Sequence, residues 1–205
     1  MQPLSDEQLH VLVEKVVRQT VGTMMSAAQA PAAAASEAPK PSTQTSATPN
    51  IARKVVAIGT DHGGVDLKNA LKTDLVEWGY EVIDCGTDTK EAVDYPDIAL
   101  AVAQHVAFGK AWRGVVIDGA GIGSCMAANK VPGIRAALCY DYATAVNSRE
   151  HNDANVLTLG AGLIGVNLAK QILKTWLATD FGGGRHAKRV DKIVAIEKSF
   201  LKEGK

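Results

Sequence analysis

From residue 51 onward, short apolar runs alternate with longer stretches of helical periodicity, and this alternation constrains the fold more than any other feature of the sequence. The runs cover residues 54–59, 81–85, 114–117, 135–139 and 155–159; they are rich in β-branched residues and are bounded by Gly, Asp or Asn. Amphipathic stretches lie at 65–78, 95–108, 142–151 and 165–177, and a last one at 189–202 has no strand after it. The pattern predicts an α/β fold with a doubly wound parallel sheet of five strands, whose ligands bind beyond the carboxyl ends of the strands.

The first 50 residues follow a different pattern. Ser5 and Gln8 fit a capping box, and the apolar residues that follow share one helical face, so residues 5–25 are expected to form an amphipathic helix. Residues 27–50 contain almost only Ala, Pro, Ser, Thr and Gln, which predicts a flexible linker. The chain is therefore divided into a helix at 1–26, a linker at 27–50 and a folded domain at 51–205. Such a helix is marginal alone in water and needs a partner; the alternative is that it folds back onto its own domain or oligomer.

Charge and cysteine content exclude several classes of function. Lys and Arg number 22 against 22 Asp and Glu, so the chain has no net positive field with which to attract nucleic acid or an anionic membrane. Three cysteines without CxxC spacing indicate neither a disulfide framework nor a structural zinc site. No run of 18 uncharged apolar residues is present, and acids occur where a secretory leader would carry positive charge. We expect a cytoplasmic protein that holds any anionic ligand through a local site.

Polar residues follow the first and third predicted strands. Asp61 and His62 lie in the sequence GTDHGG, where an acid beside an imidazole suits proton transfer, although an Asp at such a turn is as often a helix N-cap. Asp118 ends the third strand and precedes the sequence GAGIGS at 119–124. Glycines at alternate positions expose successive backbone N–H groups to an oxyanion, an enediolate or a phosphate, and a carboxylate beside such donors could be a general base. The spacing departs from a dinucleotide fingerprint, and the P-loop lysine is missing.

Two further clusters carry histidine and cationic side chains. His151 and Asn152 lie in the sequence SREHNDAN just before the fifth strand, where His151 would be accessible and able to pass a proton; the alternative is a surface histidine in a turn. Arg185 and Arg189 lie in GGGRHAKR, which suits a phosphate clamp or, alternatively, a solvated basic loop. Because this architecture places ligands at strand ends, we expect the clusters next to strands to mark the site.

Five motifs together resemble the ribose-5-phosphate isomerase B and galactose-6-phosphate isomerase family. They are GTDHGG, DYP at 94–96, GAGIGSCMAANK, SREHNDANV and GGRHAKRV, and they follow the order and spacing of that family from about residue 54 to the C-terminus. The resemblance implies a Rossmann-like fold and a homodimer or dimer of dimers with sites shared across the interface. It also implies interconversion of aldose and ketose phosphates through an enediolate without a metal or other cofactor, with ribose 5-phosphate and ribulose 5-phosphate as the leading pair.

The resemblance further implies roles for side chains. Asp61 and His62 would contact the sugar and its phosphate, and Tyr95 of the DYP motif would join them in binding substrate. His151 with Asn152 would open the furanose ring.

The remaining positions would bind the two anionic groups of the reacting sugar. Arg185 and Arg189 would bind the phosphate, delivered from the partner subunit. The enediolate would be received by the backbone of Gly119, Ala120, Gly121, Gly123 and Ser124.

Four positions depart from the family pattern. Asp118 stands where many relatives have a cysteine base, and Ala120 where they have threonine or serine. Ser124 stands where another subgroup has a glutamate base, and Gly162 where many relatives have an arginine. Two interpretations remain open. Asp118 is a replacement base, which we favour, or the base is lost and the fold serves sugar-phosphate binding, another substrate or assembly.

The N-terminal pattern is similar to the encapsulation peptides that carry enzymes into bacterial microcompartments. Those peptides also consist of a short amphipathic helix on an Ala/Pro/Ser-rich linker. The resemblance implies that residues 5–25 bind a shell protein and that the enzyme is located in a microcompartment within the cytoplasm.

Overall fold

The computed structural model describes residues 55–201. The chain divides into two units, Met1–Ser46 and Ala47–Lys205, and the described residues all belong to the second. The helix predicted at 5–25 and the linker predicted at 27–50 lie outside the described residues.

Strands and helices alternate along the described part of the chain. The strands are β1 (Val55–Thr60), β2 (Glu81–Asp84), β3 (Arg113–Asp118), β4 (Ala136–Leu138) and β5 (Val156–Gly160). The helices are α1 (Val65–Glu77), α2 (Tyr95–Ala107), α3 (Ile122–Ala128), α4 (Tyr142–Glu150), α5 (Val166–Ala178) and α6 (Ala187–Phe200). Each predicted strand is present with its ends within one residue of the prediction.

The strands form one parallel sheet in the order β2-β1-β3-β5-β4. β1, β3 and β5 are buried along almost their whole length, as expected for central strands covered on both faces, whereas β2 and β4 lie at the edges and are partly exposed. The connections leave β1 in opposite directions, to β2 on one side and eventually to β3 on the other. The carboxyl ends of β1 and β3 therefore flank the crevice in which this kind of sheet binds ligands. The prediction of a doubly wound five-stranded sheet is confirmed.

Helices cover both faces of the sheet and enclose two hydrophobic clusters. On one face, Leu71 of α1 and Trp176 of α5 are fully buried against the central strands. On the other face, Val102 of α2 and Ala128 of α3 are fully buried. None of the helices in the described residues is long and apolar enough to cross a membrane.

A buried arginine joins the start of β3 to the end of α5. The Arg113 guanidinium, in a residue that is 2 % exposed, donates hydrogen bonds to the carbonyls of Trp176 (2.6 Å), Leu177 (2.9 Å) and Thr179 (3.1 Å). It also lies 3.9 Å from the ring centroid of Trp112. Burial lowers the pKa of this guanidinium. Because the last carbonyls of a helix have no intrahelical donor, Arg113 supplies the partners that the end of α5 lacks.

Candidate active site

Asp61 follows β1 at the carboxyl edge, the side of the sheet where its strands end. The Asp61 N–H donates to the Ile117 carbonyl (3.3 Å), so the turn stays attached to β3. Asp61 Oδ1 accepts a hydrogen bond from the Gly63 N–H (2.9 Å), while no donor within residues 55–201 reaches Oδ2. The N-cap of α1 is Gly64, so Asp61 is not the cap of that helix. Asp61 is 8 % exposed and keeps one oxygen free of protein hydrogen bonds in the described structure.

His62 and Tyr95 extend the carboxyl edge towards α2. His62 is exposed, and its Nδ1 accepts a hydrogen bond from the Val93 N–H (3.4 Å), which leaves the proton of the neutral ring on Nε2. The Tyr95 ring lies over Gly123, because a Cβ placed on Gly123 would lie 2.5 Å from the ring. Tyr95 therefore borders the loop that follows β3.

Asp118 ends β3 with a carboxylate that is enclosed by this loop. Its Oδ1 accepts hydrogen bonds from the N–H groups of Ala120 (2.8 Å) and Gly121. Its Oδ2 accepts from the Ser124 N–H (3.0 Å) and from the Ser124 hydroxyl. Asp118 is 4 % exposed and Ser124 is fully buried. Since a carboxylate has about four acceptor positions, these four bonds favour a role in shaping loop 119–124, and the base assignment of Asp118 stays a prediction.

The same bonds decide which backbone donors remain for a ligand. Three of the N–H groups in the predicted array are turned towards Asp118. The N–H groups of Gly119, Ile122 and Gly123 have no acceptor among the described residues. Gly121 has a φ of 76°, in the left-handed region that favours glycine, and there the chain turns into α3. The loop therefore offers fewer donors than the sequence indicated.

Tyr140 lies outside every predicted motif and holds the same loop from its outer side. It follows β4 by two residues, and its hydroxyl donates to the Ala120 carbonyl (2.6 Å). A Cβ on Gly160, at the end of β5, would lie 2.7 Å from that carbonyl oxygen. A tyrosine just after an edge strand carries no sequence signal of such a role.

His151 and Asn152 lie at the opposite side of the sheet, the amino edge, where strands begin. α4 returns from the carboxyl end of β4, so both residues precede β5. Arg149 fixes this turn: its guanidinium donates to the carbonyls of Ala154 and Thr179, and Thr179 also accepts from Arg113 at the start of β3. His151 and Asn152 therefore lie away from the crevice of their own sheet, because only the carboxyl ends of parallel strands share that crevice.

The basic loop also lies at the amino edge. The rings of His151 and His186 stack with centroids 4.1 Å apart and planes 5° apart. His151 Nδ1 is 2.8 Å from Asn147 Nδ2. Desolvation, followed by the charges of His151, Arg185 and Arg189, lowers the pKa of His186. The guanidinium groups of Arg185, next to His186 in the chain, and Arg189, in the first turn of α6, are suited to a phosphate. His186 belongs to this cluster although it was not among the predicted site residues.

The carboxyl-edge and amino-edge residues do not meet within one chain. β3 contains six residues, and a parallel strand rises about 3.3 Å per residue, so the two edges are about 20 Å apart. A pentose phosphate is too short to contact both edges of the same sheet.

The cysteines do not replace a base at the end of β3. Burial raises the pKa of the Cys85 thiol to about 11 and also raises the pKa values of Cys125 and Cys139. Cys125 Sγ donates to the Ala136 carbonyl (3.4 Å), on the β4 side of α3. Within residues 55–201, His, Cys, Asp and Glu side chains form no group of three or more that could hold a metal ion.

Comparisons with known proteins identify the relatives of this chain. The family described as Ribose/Galactose Isomerase matches residues 56–193. Ribose-5-phosphate isomerase B of Escherichia coli (strain K12) is 48% identical over 144 residues, which are 70% of this chain and 97% of that protein. D-erythrulose-4-phosphate isomerase of Pectobacterium atrosepticum is 45% identical over 139 residues, 67% of this chain and 91% of that protein. The structure of Clostridium thermocellum ribose-5-phosphate isomerase B has a TM-score of 0.71 and 54% identity, covering 72% of this chain and 99% of that one.

The family match includes both groups of site residues, from Asp61 at the carboxyl edge to Arg189 at the amino edge, and begins after the N-terminal 55 residues. The relatives are matched over nearly their whole length, so the resemblance inferred from the five motifs is confirmed. The chain belongs to the ribose/galactose isomerase family and is a sugar-phosphate isomerase of the aldose–ketose type.

Proposed function

We propose that the chain interconverts ribose 5-phosphate and ribulose 5-phosphate through an enediolate. The observation that carries the proposal is the crevice between β1 and β3. The Asp61 carboxylate follows β1, and the N–H groups of Gly119 and Gly123, which have no acceptor within residues 55–201, lie just after β3 and in the first turn of α3. A carboxylate suits proton transfer, and N–H donors suit the oxyanion that forms when the proton leaves carbon. Ribose 5-phosphate is the substrate in the name of the Escherichia coli relative.

The reaction moves one proton between neighbouring carbons. A base removes the proton from C2 of the open-chain aldose; the C2–H electron pair forms the C1=C2 bond, and the carbonyl electron pair moves to O1. Return of the proton to C1, with transfer of the O2 proton to O1, gives the ketose. His151 would open the furanose ring by proton transfer, and Arg185 and Arg189 would hold the phosphate.

The complete site would be built from two copies of the chain. The amino-edge residues His151, Arg185 and Arg189 lie about 20 Å from the carboxyl edge of their own sheet, so they would serve the carboxyl edge of a partner. Exposed apolar side chains around the carboxyl edge support a protein contact there: Tyr95, Ile122, Met126, Tyr142 and Leu163 are 40–64 % exposed. A homodimer, or a dimer of dimers, is therefore part of the proposal.

Solvent exchange tests the activity. The full-length protein is incubated with ribose 5-phosphate in D2O, and proton NMR follows ketose formation and the loss of the C2 proton signal. We expect both in the wild type. Asp66→Asn is the control, because Asp66 lies on the exposed side of α1 in a surface ion pair with Lys90. Absence of exchange in the wild type would refute the isomerase assignment.

A four-carbon substrate is the second candidate. One relative is named D-erythrulose-4-phosphate isomerase. A catalytically weak sugar-phosphate-binding or scaffold protein is the remaining alternative. Parallel measurements of kcat/KM with D-erythrulose 4-phosphate and ribulose 5-phosphate separate the two substrates, and no turnover of either would leave the binding role.

The first 50 residues would serve as a targeting segment. We keep the interpretation that residues 5–25 bind a microcompartment shell protein, while 51–205 act as the enzyme. The pattern of apolar residues and the Ala/Pro/Ser/Thr linker support it. Deletion of residues 1–50 should leave isomerase activity unchanged and abolish co-purification with shell proteins. Unchanged association of the shortened chain would refute the targeting role.

A further inference from the structure

We infer that the base which abstracts the carbon-bound proton is Asp61 and that Asp118 is a positioning residue, an inference that rests on the proposed isomerisation. Both residues end adjacent strands: Thr60 and Ile117 are partners in the β1–β3 register, so the next residues, Asp61 and Asp118, lie side by side at the crevice. Neighbouring strands are about 4.8 Å apart, so either carboxylate is near enough to reach the same substrate carbon. The base is therefore the carboxylate that has an oxygen free to accept the proton.

Asp118 has no oxygen available for a proton. Oδ1 accepts from two backbone N–H groups, and Oδ2 accepts from the N–H and the hydroxyl of Ser124, which is fully buried. Taking a proton on either oxygen would break one of these bonds and leave a buried donor of the loop without an acceptor. Leaving such a donor unpaired costs free energy, which the reaction would have to supply in every turnover.

Asp61 differs in this respect. Its Oδ1 is fixed by the Gly63 N–H, which orients the carboxylate, and Oδ2 has no donor within the described part of the chain. Oδ2 is also not among the fully buried unpaired atoms, so it is open to the crevice. One anchored and one open oxygen is the arrangement that a general base needs: the carboxylate is held in place, and protonation of Oδ2 breaks no protein hydrogen bond.

The two assignments divide the chemistry between neighbouring residues. In the ketose direction, Asp61 Oδ2 takes a proton from C1 of ribulose 5-phosphate; the C1–H electron pair forms the C1=C2 bond, and the electron pair of the C2 carbonyl moves to O2. The same carboxylic acid then returns the proton to C2, and the O1 proton passes to O2. Asp118 takes no proton; it holds loop 119–124 in the conformation that receives the oxyanion.

The test starts from the ketose, because ribulose 5-phosphate carries its phosphate on the hydroxyl that would close a furanose ring and is therefore open-chain. Exchange of its C1 proton with D2O measures abstraction without ring opening. Asp61→Asn keeps an oxygen for the Gly63 N–H, so the turn is retained. We expect this variant of the full chain to lose C1 exchange by at least 1000-fold, while a phosphorylated four-carbon hydroxamate that mimics the enediolate binds within threefold of the wild-type Kd.

Asp118→Asn replaces one acceptor oxygen by an NH2 group, which would face N–H or O–H donors of the loop and leave them without an acceptor. We expect exchange and hydroxamate affinity to fall together, by about tenfold each. Formate added to Asp61→Ala should restore part of the exchange, because it supplies a carboxylate in the emptied space, and formate added to Asp118→Ala should restore none.

The outcomes separate this inference from the proposed function. A wild type that exchanges no proton refutes the isomerisation itself. An active wild type overturns the base assignment alone if Asp61→Asn keeps C1 exchange within tenfold, or if this variant no longer binds the hydroxamate. Loss of exchange in Asp118→Asn with unchanged hydroxamate affinity would also overturn it, since Asp118 would then be the base.

Discussion

Mixing two inactive variants tests whether a complete site needs two copies of the chain. Asp61→Asn removes a carboxylate at the carboxyl edge, and Arg189→Met removes a guanidinium in the first turn of α6 at the amino edge. Within one chain these positions lie on opposite sides of a sheet about 20 Å tall, so they cannot belong to the same site of a monomer. Each variant alone is expected to have little activity, because both sites of its dimer carry the change.

Hybrid dimers restore one site of the two. If subunits re-pair at random from an equal mixture, half of the dimers are hybrids. One site of a hybrid carries both substitutions, and the other carries neither. The unaltered site takes its carboxyl edge from the Arg189→Met subunit and its amino edge from the Asp61→Asn subunit. The mixture should therefore recover about one quarter of the wild-type sites.

The assay refolds the two variants together and separately and compares kcat per chain for ribose 5-phosphate. KM of the recovered activity should equal the wild-type value, since each restored site is unaltered. Co-refolding Asp61→Asn with His62→Ala is the matched control; both changes lie at the carboxyl edge, so every hybrid site carries one substitution and no activity should return. A mixture of Asp61→Asn and Arg189→Met that stays inactive, although hybrid dimers are shown by mass, would refute the shared site.

Three further predictions concern the framework of the domain. Arg113→Met should lower the free energy of unfolding in urea by about 2–5 kcal/mol, because carbonyls at the end of α5 lose their donor; a change below 1 kcal/mol would contradict this. Burial raises the pKa of Asp84, but hydrogen bonds from lysines, Lys68 among them, outweigh it and hold that pKa below its ordinary value. The contribution of Asp84 to the free energy of unfolding is therefore present above about pH 4 and is lost as pH falls through the lowered pKa. Lys68→Met should flatten this dependence of stability on acid pH, measured by urea unfolding. Gly123→Ala should displace the Tyr95 ring and raise KM while changing unfolding by less than about 1 kcal/mol, since a side-chain end can move.

The fold could be predicted because its signals are local. β1, β3 and β5 are runs of buried residues, and such runs between amphipathic stretches have few alternatives to a parallel sheet. The glycines after β1 and β3 also act locally, because a Cβ on Gly64 would collide with Thr60 and Ile117, and Gly121 has a φ of 76°. Asp61 could therefore be assigned to the crevice without knowledge of any long-range contact.

The role of Asp118 could not be predicted in the same way. The same sequence, an aspartate before a glycine-rich loop, is compatible with a carboxylate that faces a ligand and with one that accepts hydrogen bonds from the loop itself. The left-handed turn at Gly121 and the burial of Ser124 direct donors of the loop to the Asp118 carboxylate, and both depend on how α3 packs against the sheet. Tyr140 illustrates the same limit, because its hydrogen bond to Ala120 joins segments from different strands.

The direction of the strands determines at which edge of the sheet the His151 cluster lies, and the residue types in the cluster do not show this. In a parallel sheet every strand begins at one edge, so a motif that precedes β5 and a motif that follows β1 lie on opposite edges. This separation keeps Arg185 and Arg189 away from the carboxylates Asp61 and Asp118 of the same chain. Within residues 55–201 neither arginine forms an ion pair with a carboxylate, so both guanidinium groups are available to a doubly charged phosphate, although the protein as a whole has no net charge. Pairing of two copies would bring the arginines of one to the carboxyl edge of the other, where they would bind the phosphate while the carbon chain of the sugar is directed towards Asp61.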